Sequence, residues 1–407
     1  MTTNKFKPAE FHQLRLAFEE VCGEDLNWFF NQWFQAAGHP VLDVNQRLDE
    51  VQKTVTVNVS QKQNVELSPI FKLPLEIAVF DDNGKHIHKV VVDALTNSFE
   101  LPYTGNLKCV IFDYQQMLLA KVREEKPTDQ YIFQFYNGER YHARKEGLML
   151  GTKNKEQKGQ QLILDALNDK FWNIRLLAIE KASKLTLENR TKGLAVVKEL
   201  AMNDPNSAVR AAALNYLSNN LEASEVEPIY IDRIEKDQSY SVISAALKNL
   251  GKANPDKAME KAKQLEAEKS SKMLAGIGQL YGSYGKKENY SFFDVALKGK
   301  VLQGFDQLSM MNSLTYFISR QELDVVTQSY ELYDYLNKEG GYYTQMFMPQ
   351  NIEYVNTVLA VQIDKTKEEL VMHEKNNDAL YADQARKKLN SINELKEKFN
   401  ALVVEKE

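Results

Sequence analysis

The sequence is poor in the residues that carry most enzymatic and covalent chemistry. Six of its 407 residues are histidine and two are cysteine, Cys22 and Cys109. Two thiols cannot build a disulfide framework or a cysteine-rich zinc site. They could pair with each other, but one near a helix end and one inside a strand pattern read as two buried free thiols. No apolar run approaches the roughly 18–20 residues that cross a bilayer, and the first thirty or so residues lack the basic-then-apolar pattern of an export signal. Nor is there an excess of positive charge. Against 56 acidic residues stand 51 basic ones, a formal net charge of −5, which argues against an extended nucleic-acid footprint and gives no support for a membrane surface.

Recognisable catalytic motifs are missing as well. The chain has no P-loop, no G-x-S-x-G elbow and no dinucleotide glycine fingerprint. Residues 147–151 (GLMLG) lack the Lys-Ser/Thr that would hold phosphate and magnesium, and read as a flexible junction. His86 and His88, two apart, point to one face of a strand and could hold a metal if a third ligand converged, with Asp81 and Asp82 close by. A hairpin tip is a common place for solvated polar residues, and that is the reading taken. His373-Glu374 opens HEKNN, where Asn377 stands in place of a zincin's second histidine. His39, between Gly38 and Pro40, reads as a turn residue, and His12 and His142 have no partner spacing. No catalytic, cofactor-binding or metal-binding residue is assigned.

What remains is ordinary globular material, 43% hydrophobic and 26% charged, long enough for two or three domains. The hydrophobic period divides it into residues 1–40, 41–124 and 125–407. In the first, Pro8 suits the opening position of a helix whose apolar stripe is Phe11, Leu14, Phe18 and Val21. Gly23 can end that helix and Asp25 can cap the next, whose inner face is Leu26, Phe29, Phe30, Trp33 and Phe34. Two short helices cannot bury so many aromatics in each other, so the pair must dock on something else.

The residues Asp25, Leu26, Trp28, Phe29, Phe30, Gln32, Trp33, Gly38 and Pro40 resemble the "dL..FF.QW....G.P" segment that closes the catalytic domain in the aminopeptidase N family of zinc metallopeptidases. The resemblance extends upstream over residues 11–20. It implies a β-sandwich and then an all-helical domain downstream, as the periodicity also suggests. It further implies a parent enzyme whose zinc is held by HExxH and a later glutamate, with a GxMEN loop for the substrate's amine and a tyrosine for the tetrahedral intermediate. None of these occurs here, and in the family all lie upstream of the segment. The chain thus resembles the non-catalytic C-terminal part, inactive and without zinc of its own. Its implied partners are an upstream catalytic domain of the same parent chain and, through the parent, peptide substrates. The alternative is a free-standing helical-repeat scaffold for protein partners.

Residues 41–124 alternate with period two. Residues 53–60 (KTVTVNVS) form a half-buried strand. Residues 73–80 and 87–92 flank Asp81-Asp82-Asn83-Gly84, where Asn-Gly supplies the positive φ of a tight hairpin. Further strands at 98–101, 107–114 and 117–122 complete an antiparallel sandwich. Beyond residue 126 the pattern is helical, and windows 169–185, 204–217 and 237–250 resemble one another. Ile174, Val209 and Val242 align, as do Ala178, Ala213 and Ala246, in the manner of HEAT-type repeats. Arg175 and Arg210 share a repeat position and read as covers for the neighbouring repeat's turn. Residues 281–293 and 333–347 mix aromatics with glycine and charge, and read as packed helix ends. Gly340-Gly341 breaks a helix. Two charged helices end the chain, joined near Asn376-Asn377, the last with the stripe Ala385, Leu389, Ile392, Leu395, Phe399 and Leu402 packing back on the repeats.

Overall fold

The computed structural model describes residues 4–153 and 157–404. It follows the expected architecture of short N-terminal helices, a β-sandwich, then a long run of helices. Helix α1 (Phe11–Cys22) begins three residues after Pro8, with the Glu10 N–H donating to Gln13 Oε1 at 3.0 Å, and ends at Gly23 in the left-handed conformation. Asp25 Oδ1 accepts the Asn27 N–H at 2.7 Å and opens α2 (Asn27–Phe30), which widens into a π-helical turn over Asn31–Gln35.

Seven strands follow: β1 (Val41–Asp49), β2 (Thr54–Gln61), β3 (Leu73–Asp81), β4 (Gly84–Val92), β5 (Thr96–Pro102), β6 (Cys109–Ile111) and β7 (Lys121–Glu125). They form two sheets, ordered β5-β2-β1-β7 and β4-β3-β6. Every pairing is antiparallel except β1 with β7, which is parallel, a departure from the all-antiparallel expectation. The alternating Val55, Val57 and Val59 of β2 are fully buried between the sheets, as the period predicts. The β3–β4 turn is centred on Asp82 and Asn83. Of the Asn-Gly pair only Gly84 takes positive φ, at 119°, a conformation that favours glycine. Strand β3 is buried on both faces. On its far side Phe80, Cys109 and Ile111 meet Phe133 from the first helix after the sandwich.

That helix, α3 (Thr128–Asn137), packs on α4 (Tyr141–Gly151), which contains the GLMLG stretch. These residues are helical, not a flexible junction. A Cβ on Gly147 would lie 2.7 Å from the Tyr131 carbonyl oxygen, so the small residue serves close helix–helix approach. Helices α5 (Gln157–Leu167), α6 (Trp172–Lys181) and α7 (Leu187–Asn203) come next. The chain divides into two compact units after Gly193, within α7.

The second unit continues with α8 (Ser207–Ser218), α9 (Ala223–Lys236), α10 (Tyr240–Ala253), α11 (Pro255–Leu265), α12 (Ser271–Tyr284) and α13 (Tyr290–Lys298). It ends with α14 (Gly304–Ile318), α15 (Leu323–Glu339), α16 (Tyr342–Met346), α17 (Met348–Lys375) and α18 (Ala379–Val404). Helices α8, α10, α12 and α14 pack side by side in that order. The aligned repeat positions Ile174, Val209, Val242, Ala178, Ala213 and Ala246 are all fully buried. Gly340-Gly341 separates α15 from α16. The α18 stripe packs back as expected: Phe399 is fully buried, its ring 5.4 Å from Tyr330 and 5.6 Å from Tyr333.

Candidate functional site

The N-terminal aromatic face is half covered. Phe30 is 2% exposed and Trp33 lies against Phe71 of the sandwich core at 5.4 Å. Gln32, absent from the predicted inner face, makes the tightest link. It donates to the Lys72 carbonyl at 3.2 Å and accepts the Lys72 N–H at 2.6 Å, two backbone bonds from one buried side chain. Phe30 and Trp33 face the sandwich as the helical period predicts, and the π-turn, with more residues per turn, brings Gln32 round beside them. The other half stays open. No residue of α1 is buried, Phe18 and Val21 are 55% and 87% exposed, and Phe34 is 54% exposed. Of the α1 stripe, Phe11 packs on Phe30 and Phe34, while Leu14, Phe18 and Val21 face solvent, as expected of a face that docks on nothing within these residues.

The histidine-bearing hairpin is held by its own hydrogen bonds. His86 Nε2 lies 3.2 Å from Asp81 Oδ1, while Asp81 also accepts the N–H groups of Asn83 at 2.8 Å and Thr104 at 2.7 Å. Burial opposes ionisation of Asp81, but these bonds win and hold its carboxyl below the usual value. Asp82 accepts both N–H groups of Asn106 and pairs with Lys108. Both carboxylates are thus committed to the loop. Burial, and then the nearby His86, lower the pKa of His88, which favours the neutral ring. Among the described residues no group of three or more His, Cys, Asp or Glu is disposed to hold a metal ion. His373 stacks on Tyr381 at 5.3 Å and lies 3.6 Å from Asp378. The His12 ring lies 3.9 Å from that of Phe11, tilted by 40°, and His39 is exposed. The zinc that the family resemblance implies for a parent enzyme therefore finds no fitting ligand set among these residues.

Cys109 is buried as expected, whereas Cys22 is exposed, since α1 lies on the surface. The repeat arginines bind backbone. Arg175 donates to the Asp169 carbonyl and Arg210 to the Asp204 carbonyl, each at 2.7 Å, so each closes the turn that opens its own repeat. Arg210 also reaches the next repeat, gripping Asp237 through Nε and Nη2 at 2.7 and 2.8 Å.

A cavity of about 500 Å³ lies beside the sandwich, between β7 and α4, with Asp113, Glu124, His142, Lys145 and Glu146 in its wall. Sequence spacing could not have found it, because its residues come from separate elements. Its carboxylates are already engaged: Asp113 accepts the Leu118 N–H at 3.0 Å, Glu124 pairs with Lys126, and Glu146 accepts from Gln134 at 2.8 Å.

No known family's sequence profile matches the chain, and no curated protein matches it. Among solved structures, Legionella pneumophila aminopeptidase A in complex with aspartic acid matches with a TM-score of 0.53 at 11% identity. The match covers 93% of this chain and 52% of that one. The fold is aminopeptidase-like. At such low identity the likeness is one of fold alone, and the chain spans about half the length of the protein it matches.

Proposed function

We propose that this chain is the non-catalytic C-terminal part of a zinc-dependent aminopeptidase, covering and shaping the peptide cavity of a parent that removes N-terminal residues. The observation that carries the reading is the match of nearly the whole chain to about half of an aminopeptidase. The "dL..FF.QW....G.P" resemblance and the open aromatic half of α1 and α2 support it, an upstream catalytic domain being the partner that would cover Phe18, Val21 and Phe34. Zinc and the hydrolytic water belong in this reading to that domain.

The second reading, a free-standing scaffold for protein partners, is favoured by the seating of Phe30, Gln32 and Trp33 on the sandwich. The apparent mass of the native protein, detected with an antibody against this chain, separates the two. A band well above 46.7 kDa is expected, and a band at 46.7 kDa favours the scaffold. Release of amino acids from aminoacyl amides by the purified chain would refute the non-catalytic assignment.

A further inference from the structure

Helices α10, α12 and α14 are successive neighbours, and together they carry a single carboxylate, Asp306 in the first turn of α14. The helices between and beside them carry the acids: Glu225, Glu227, Asp232 and Glu235 fall on α9 alone. In a chain whose acidic residues outnumber its basic ones, this face is a local region of positive charge.

A cavity of about 410 Å³ opens on it. From α10 come Lys248 and Lys252, one turn apart. From α12 come Gln279 and Ser283 at the same spacing, and from α14 Ser309 and Asn312. No lining residue is acidic. Glycine permits the close approach beneath: a Cβ on Gly282, which also lines the cavity, would lie 3.0 Å from the Ser313 carbonyl oxygen.

Most of the polar side chains here are uncommitted. Lys257 and Lys261 on α11 pair with Glu227 and Glu235, yet Lys248 and Lys252 have no ion-pair or hydrogen-bond partner among the described residues. The side chains of Gln279, Ser283 and Ser309 likewise make no hydrogen bond to the described residues. Asn351 Nδ2 donates to Asn312 Oδ1 at 3.0 Å, which occupies the acceptor and leaves the Asn312 amide N–H groups to donate. Two like charges at i and i+4 repel, and a bound anion relieves that repulsion.

We propose that this groove is an oxyanion site, taking a carboxylate- or phosphate-bearing ligand. The two ammonium groups supply the charge, and the amide and hydroxyl donors of α12 and α14 orient the oxygens. The site does not depend on the parentage proposed above.

Calorimetric titration of the purified chain tests it with three probes: inorganic phosphate, N-acetyl-trialanine with a free carboxylate, and the same peptide as its C-terminal amide. Saturable binding of phosphate or of the free acid is expected, with none of the amide. Raising salt from about 50 mM to about 500 mM weakens it. Replacing Lys248→Ala and Lys252→Ala together should weaken it at least about ten-fold with circular dichroism unchanged, while Lys248→Arg with Lys252→Arg retains it. Acid-only binding identifies a carboxylate ligand, and phosphate-only binding a phosphorylated one. The proposal fails if neither anion saturates, if the amide binds as well as the acid, or if the double alanine variant binds like the parent chain.

Discussion

Lys126 Nζ lies 2.9 Å from Glu124 Oε2 in an ion pair whose side chains are 0% and 4% exposed. The ammonium also donates to the Val110 carbonyl at 3.0 Å and to Gln134 Oε1 at 2.6 Å, joining β7, β6 and α3 at one atom. Burial alone would lower the lysine's pKa, but the charge and hydrogen bond of Glu124, together with the neighbouring Cys109 and Glu146, outweigh it and hold the group above its ordinary value. Lys126→Met leaves a buried carboxylate without its cation, and should cost about 3–5 kcal/mol. Adding Glu124→Leu should recover most of that loss. All three tryptophans, Trp28, Trp33 and Trp172, fall before Gly193, so urea unfolding followed by tryptophan fluorescence reads the unit concerned. A double variant no more stable than Lys126→Met would contradict the argument.

The Arg210–Asp237 grip gives a pH-dependent prediction. Burial would raise the Asp237 pKa, yet hydrogen bonds from Arg210 and the Ser239 N–H hold it below the usual carboxylate value. A depressed native pKa contributes stability that is present above the unfolded value of about 3.9 and is lost as pH falls through the native value. Asp237→Asn should therefore destabilise the second unit by about 1–3 kcal/mol at neutral pH. The gap to the parent chain should narrow as pH falls below about 4, because the parent loses the contribution the variant never had. Thermal melts by circular dichroism at both pH values check this, and a constant gap would sink it.

Much of this fold was written in local periods, and those parts were legible. The valines of β2 follow from a period of two, the hairpin around Asp82-Asn83 from turn chemistry, and the buried repeat positions Val209 and Val242 from the likeness of the helical windows to one another. Parallel pairing of β1 with β7 was not legible, because it joins residues about eighty positions apart and leaves no local signature. The GLMLG stretch misled because glycine lowers helix propensity, while its packing against Tyr131 is visible only in three dimensions. Gln32 was missed because a polar residue was not sought on an aromatic face. The groove at Lys248 left one readable trace, the scarcity of carboxylates across three helices.

The two thiols should differ sharply in reactivity. Burial pushes the Cys109 thiol up to about 12, and it lies in the β3–α3 core, whereas Cys22 is exposed at the end of α1. Only the thiolate reacts readily with disulfide reagents. One thiol per chain is expected to react in native buffer and two in denaturant, with Cys22→Ser abolishing the native reaction. Labelling of Cys109 in the native protein would show that the first unit opens on the assay's timescale.

The two halves of the N-terminal face should respond oppositely to substitution. Phe18 and Val21 are exposed and contribute apolar surface without a buried contact, so Phe18→Ser with Val21→Ser should change stability by less than about 1 kcal/mol. The same pair should reduce the fluorescence of a dye that reports exposed apolar surface, and any self-association with it. Trp33 packs on Phe71, and Trp33→Ala removes a large, partly buried ring that lies against the sandwich core, at a cost of about 3 kcal/mol. Dye fluorescence should rise, not fall, in that variant as the helical segment loosens from the sandwich. If Phe18→Ser with Val21→Ser leaves the dye signal unchanged, the open half of the face is not the chain's exposed apolar surface, and the case for a partner domain covering it is lost.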